Sequence, residues 1–156
     1  MNGAGVRAYS KAKDGAKALS ANFKVREFAC QDGTDTIFVS TELVSALQKI
    51  RDHFGRAVTV NSAYRTEAHN KKVGGAAYSQ HKYGTAADIA VQGVTPLEAA
   101  RYAHALLGNG GGVGLYKTFI HVDVRAAKSR WDQRSGKQVA VSKFYPFQKP
   151  ESSGKI

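Results

Sequence analysis

The hexapeptide FIHVDV, Phe119 to Val124, commits both sides of a strand at once. Its β-branched and aromatic residues favour extended backbone. Strand alternation then sets Phe119, His121 and Asp123 on one face and Ile120, Val122 and Val124 on the other. One face asks for an apolar layer. The other turns two ionisable groups inward, and an unpaired buried carboxylate is expensive. A fold that houses this strand must therefore bring donors, counter-charges or a cation against His121 and Asp123.

The rest of the chain reads as elements that surround such a strand. From Thr41 to Phe54, the positions Leu43, Val44, Leu47, Ile50 and Phe54 follow the helical period, with Ser40 as N-cap and Gly55 as the stop. VTVNS at 58–62 is a β-branched strand, and YRTEAHNKK supports a helical turn or two before Gly74-Gly75 breaks it. Ala87 to Val91 reads as a strand. Thr95-Pro96-Leu97-Glu98 combines a threonine N-cap, proline at N1 and glutamate at N3 in a capping box, and GNGGG ends that helix after Leu107. GVGLY and FIHVDV then form a hairpin across Lys117-Thr118. FKVREFAC suggests a short extended piece, followed by a turn at QDGTD. Uneven crossovers and a terminal hairpin favour α+β over a doubly wound sheet. At 156 residues one domain with a real core is expected, over 22–150, with a basic polar arm at 1–21 and a short polar tail at 151–156.

Charge narrows the partners only a little. The formal net charge is +11, and residues 125–156 hold eight Lys or Arg against Asp132 and Glu151. That suits a polyanionic surface. The basic residues form no dense block and no recognition-helix pattern, so a specific nucleic-acid partner is not expected. A single cysteine, Cys30, excludes an intramolecular disulfide and an all-cysteine metal site, and reads as a small buried hydrophobe. No apolar run approaches the length of a membrane span.

The stretch SQHKYGTAADIA, Ser79 to Ala90, supplies partners for the strand. His81 and Asp88 are separated by small residues and a glycine that let the backbone turn without bulk. With His121 they would make two imidazoles and one carboxylate, leaving an open position for water, a standard arrangement for catalytic zinc. On spacing alone, ordinary loop and strand roles for these residues stay open.

SAYRTEAHNKKVGGAAYSQHKYGTAADI followed by GGVGLYKTFIHVDVR resembles the zinc D-Ala-D-Ala carboxypeptidase family of peptidoglycan peptidases. That family's Ser-x-His-x-x-Gly-x-Ala-x-Asp segment is matched at Ser79, His81, Gly84, Ala86 and Asp88, and His121-x-Asp123 follows. The similarity spans roughly residues 22 to 131. The resemblance implies a hedgehog/DD-peptidase-like α+β fold, with a small antiparallel sheet and flanking helices. It implies one zinc per chain held by His81, Asp88 and His121, and hydrolysis of a stem-peptide bond. The terminal D-Ala-D-Ala bond is the leading expectation. An endopeptidase, as in a phage or bacterial lysin, and a non-catalytic wall-binding module that keeps its zinc are the alternatives.

Arg65 matches the arginine that relatives place near the metal for a substrate carboxylate or the developing oxyanion, tasks that suit its fixed charged fork. Tyr64 and Ser79 are further candidates for substrate contact, as are Tyr78, Tyr83, Tyr116 and Trp131 along a groove. Many relatives carry an acid three residues before the last histidine, where this chain has Thr118. Asp123 is the available carboxylate. It either takes the water's proton or orients a ligand imidazole. His53 and His104 are expected to be structural or solvated, and His69 to be so unless it lines the groove. A monomer acting at a bacterial wall, in the periplasm or outside the cell, is expected. The first residues carry no apolar signal-peptide core, so the expectation is either another route of export, such as release by phage lysis, or a signal that lies outside this sequence.

Overall fold

The computed structural model describes residues 5–148, so the expected tail and the first four residues lie outside the described residues. The chain opens with strand β1 (Val6–Ser10), helix α1 (Lys11–Asp14) and strands β2 (Ala18–Ser20) and β3 (Phe23–Lys24). A 3-10 turn at Val25–Phe28 leads to β4 (Thr36–Ser40), α2 (Thr41–Phe54), β5 (Val58–Ser62) and α3 (Glu67–Lys72). A second 3-10 turn at Gln80–Tyr83 precedes β6 (Ala86–Val91) and α4 (Pro96–Leu107), and the chain closes with β7 (Gly112–Leu115), β8 (Ile120–Asp123), β9 (Ser129–Asp132) and β10 (Val139–Ala140).

Both main helices start and stop where capping chemistry predicts. Ser40 Oγ accepts from the Leu43 N–H at 3.2 Å, and Gly55 ends α2 with a left-handed φ of 63°. Thr95 Oγ1 accepts from the Glu98 N–H at 3.2 Å, with Pro96 in the first turn of α4. The box closes differently from the expected reciprocal form, because the Glu98 carboxylate takes the Thr95 hydroxyl, at 3.1 Å.

Six strands form the main sheet, in the order β10-β9-β7-β8-β6-β5. The expected small antiparallel sheet is corrected to a mixed one. β5, β6, β8 and β7 alternate in direction, but β9 runs parallel to β7. The segment between β8 and β9 crosses past β7, which no local signal announced. β1 pairs antiparallel with β4, from Val6 opposite Ser40 to Ser10 opposite Thr36. Residues 6–20, expected as an arm, are thus tied to the domain, with Tyr9 and Leu19 packed against the core. The small and charged residues that dominate this stretch gave too little periodicity to reveal this; the partner strand decides it. FKVREFAC is extended only at Phe23–Lys24, and the 3-10 turn that follows buries Val25 and Phe28.

The sheet has two different faces. Ala87, Ile89 and Val91 of β6, Val113 and Leu115 of β7, and Ile120 and Val122 of β8 join Leu43, Leu47 and Ile50 of α2 and Ala99, Ala100 and Ala103 of α4 in the core. Each fully buried Leu or Ile in that layer contributes about 1.5–3 kcal/mol. The alternate residues, Asp88, Gly112, Gly114, His121 and Asp123, occupy the other face.

The glycines of GVGLY explain how polar groups fit there. Gly112 lies opposite Asp123 and Gly114 opposite His121. A Cβ on Gly112 would sit 2.2 Å from Asp123 Oδ2, and one on Gly114 would sit 2.4 Å from the Trp131 ring. Gly114→Ala is therefore expected to destabilise the fold by about 1–3 kcal/mol, the usual cost of overpacking. Urea denaturation of purified protein would measure it, and a midpoint equal to wild type would contradict this packing.

Candidate metal centre

Three neighbouring segments deliver the site. Asp88 on β6 and His121 on β8 are direct partners across the sheet. His81 comes from the 3-10 turn, where Ser79 Oγ accepts from the His81 N–H at 3.3 Å and Gly84, at φ 73°, ends the turn. Gly84 has no room for a side chain, since a Cβ would lie 2.4 Å from the Phe38 carbonyl oxygen. The turn is pinned on two sides: the Arg65 N–H donates to the His81 carbonyl at 3.0 Å, and the Ser40 N–H to the Gly84 carbonyl at 2.9 Å.

One nitrogen of each imidazole is spoken for. His81 Nδ1 lies 2.7 Å from the Ala63 carbonyl oxygen, which can only accept, so that nitrogen carries the hydrogen. His121 Nε2 lies 2.7 Å from Asp123 Oδ2 and likewise donates. The remaining nitrogens, His81 Nε2 and His121 Nδ1, point at Asp88 Oδ1 from 3.2 and 3.1 Å. In the neutral tautomers these are three electron-pair acceptors within 4.8 Å of one another.

Such a cluster calls for positive charge. Asp88 is nearly buried, which raises its pKa, yet its bonds to His121 and His81 outweigh burial and hold the carboxyl well below the usual range. Burial lowers the His121 pKa, but its bonds to Asp123 and Asp88 overcome that and push it up to about 9. A proton thus satisfies the cluster in place of a cation. Two imidazoles and a carboxylate also fit zinc in kind and number, with coordination positions left for water and substrate. Among the described residues this is the one group of histidine, cysteine and acidic side chains so placed.

Asp123 is fully buried and held from behind by Arg125. Arg125 Nε donates to Asp123 Oδ1 at 2.9 Å, Nη2 to Oδ2 at 2.6 Å, and its backbone N–H to Oδ1 at 3.1 Å. Burial works against the Asp123 carboxylate, but the bonds from His121 and Arg125 prevail and keep it ionised. It therefore addresses the outer nitrogen of His121, on the opposite side of the ring from Asp88.

Arg65 stands beside the cluster. Its Nη2 lies 3.5 Å from Asp88 Oδ2, while Nε donates to Ser62 Oγ at 3.3 Å and Nη1 to Asn70 Oδ1 at 3.4 Å. The buried Asn70 also donates to the Ala76 carbonyl at 2.9 Å, tying the 73–76 loop to the arginine. A cleft of about 450 Å³ exposes Arg65, Ser79, His81, Asp88, His121 and Arg125, walled by Tyr78, Tyr116, Phe119 and Trp131. Asp88 is the single carboxylate among its described lining residues.

Other candidates sit elsewhere. Tyr64 packs edge-on against Phe38, with ring centroids 5.4 Å apart, and neither it, Tyr83 nor His69 lines the cleft. The Ser79 hydroxyl serves the backbone of its own turn. His53 stacks on Tyr102 at 3.8 Å, and His104 accepts from Arg130 Nε at 2.8 Å. Cys30 is buried, its sulfur meeting the Thr66 N–H. Sequence reasoning missed Arg125, Asn70 and the space left by Gly112 and Gly114. Two signals were available: the pairing of GVG with HVD across a predicted hairpin, and the place of Arg125 two residues after Asp123.

Protein prepared without added metal should carry about one zinc per chain by elemental analysis. Removing it with a chelator should lower the melting temperature, because a ligand at a thousand times its Kd stabilises by about 4 kcal/mol. Asp88→Ala should lose both the metal and this response to chelator. Full zinc occupancy in that variant would contradict the assignment.

The family described as peptidase M15 matches residues 21–123, a span that contains Arg65, His81, Asp88 and His121 and ends on Asp123. No curated protein sequence matches the chain with significance. With the match covering most of the sequence and the His81–Asp88–His121 cluster assembled within it, the chain belongs to peptidase M15 and is a zinc-dependent peptidase.

Proposed function

We propose that the chain hydrolyses a peptide bond in the stem peptides of peptidoglycan, the terminal D-Ala-D-Ala bond first among them. The observation that carries this reading is Arg65 fixed 3.5 Å from Asp88 Oδ2 at the edge of the metal cluster. Ser62 and Asn70 hold the guanidinium in place. A charged fork so positioned suits the free carboxylate at the end of a substrate chain. An internal cross-link is the second reading. The cleft is lined by the 73–76 loop as well as by Gln133 and Gln138, and its volume of about 450 Å³ suits a peptide segment. The proposed place of action is the bacterial wall, in the periplasm or outside the cell, and the formal charge of +11 favours approach to an anionic surface.

His81, Asp88 and His121 would hold the zinc ion, which when bound would supply Lewis acidity for the scissile carbonyl and for activation of a water. The chain's own residues do the positioning. Ala63 and Asp123 fix the ring orientation and tautomer of the two histidines. Asp123 is proposed as the residue that orients His121 rather than as the acceptor of the water's proton, because His121 and Arg125 occupy its oxygens.

Mass spectrometry of purified muropeptides digested with and without chelator tests the reaction. Loss of one alanine from pentapeptide stems, blocked by chelator, is the expected result. Conversion of cross-linked dimers to monomers with pentapeptides intact would replace it with the endopeptidase reading. No cleavage under any metal supplement would reject both.

Asp123→Asn separates the two roles of that residue. Zinc affinity should weaken about 10–100-fold, as for other residues behind a metal ligand, with turnover partly restored by saturating zinc. Unchanged affinity with turnover cut by orders of magnitude would make Asp123 the base instead.

A further inference from the structure

We infer that Tyr116 is a substrate-contacting residue of this peptidase, whose hydroxyl donates a hydrogen bond to the carbonyl oxygen of the bond being cut. This inference rests on the stem-peptide reading above. It begins with the polarity of one contact. Trp131 Nε1 lies 3.1 Å from the Tyr116 hydroxyl oxygen. An indole nitrogen is a donor only, so the Tyr116 oxygen accepts there and its own hydrogen must point elsewhere. No described acceptor takes that hydrogen: the Trp131 bond is the one hydrogen bond of this hydroxyl among the described residues.

Tyr116 belongs to the wall of the catalytic cleft, which it shares with Arg65, Asp88 and His121. Burial raises its pKa above the ordinary value of 10, against the opposing pull of the Trp131 bond, so the group holds its proton at neutral pH. It is a donor in the working range and not a base.

The ring is also built to stay in place. Tyr116 stacks on Phe119 with centroids 4.4 Å apart and planes 10° from parallel, closing the hairpin turn through a Tyr116 N–H to Phe119 carbonyl bond of 3.0 Å. Trp131, which holds the hydroxyl oxygen, rests over the bare backbone of Gly114 and lies 5.0 Å, centroid to centroid, from the His121 ring. A donor whose position is set before substrate arrives loses little on reorganisation, and that is what makes such groups effective toward developing negative charge. No proton changes hands; the hydroxyl donates a hydrogen bond that strengthens as the carbonyl oxygen gains charge. Arg65 then remains free to hold a carboxylate instead of the oxyanion.

Tyr116→Phe removes the hydroxyl and keeps the stacked ring. With the muropeptide that wild type cleaves, kcat should fall about a hundredfold or more while KM changes little, as for loss of an oxyanion donor. Zinc content should be unchanged, and the melting temperature should fall by no more than a few degrees, since the Trp131 indole N–H loses its acceptor. Calorimetry with a phosphinate analogue of the cleaved bond should show a comparable loss of affinity, whereas the product peptide should bind as to wild type. A kcat within twofold of wild type, or a loss confined to KM, would overturn the inference. Wild type run in the same digest separates the two readings: an inactive wild type removes both, and an active wild type beside an equally active Tyr116→Phe removes only this one.

Discussion

The structure turns on Asp88 Oδ1, toward which two imidazole nitrogens converge within hydrogen-bond distance. Three acceptors cannot share so small a volume without positive charge between them. Everything that determines their approach lies one step outward. The Ala63 carbonyl claims one nitrogen of His81, and Asp123, braced by Arg125, claims one nitrogen of His121. These outer contacts set the tautomers, and the tautomers make the cluster a site for a cation.

The Asp123–Arg125 pair shows why so polar an assembly survives inside a small domain. A buried ion pair gains little net stability, since desolvation offsets much of the attraction, but removing one partner leaves an uncompensated charge. Here the carboxylate also receives His121 Nε2 and a backbone N–H, so its lone pairs are well used. Arg125 reaches the cleft and lies over Trp131, 5.6 Å from the ring centre, combining charge with stacking. The sheet makes room by omission: β7 offers glycine where β8 carries Asp123 and His121.

The two faces of the sheet divide the work. One is an ordinary apolar layer under α2 and α4, and its burial stabilises strands whose opposite face is costly to build. β6 and β8 hold Asp88 and His121 in register, so the spacing of two ligands is fixed by backbone hydrogen bonds and not by loop geometry. Only His81 comes from a turn, and that turn is pinned by Arg65 and Ser40.

Much of this was legible in the residues. Capping chemistry located α2 and α4 because it is local: Ser40 and Thr95 act within one helical turn. Alternation in FIHVDV fixed which side chains share a face, and the resemblance carried by the Ser79–Asp88 segment brought out the ligands. What escaped was non-local. The parallel β7–β9 pairing, the β1–β4 ribbon and the withdrawal of Tyr64 onto Phe38 each depend on which segment lies alongside which. By itself, the sequence determined the donors, their faces and the helix boundaries, since bonding capacity and backbone preference belong to each residue. Tertiary structure decided which acceptor each imidazole meets, and therefore which nitrogen stays open for a metal, because a tautomer is set by neighbours that only folding supplies.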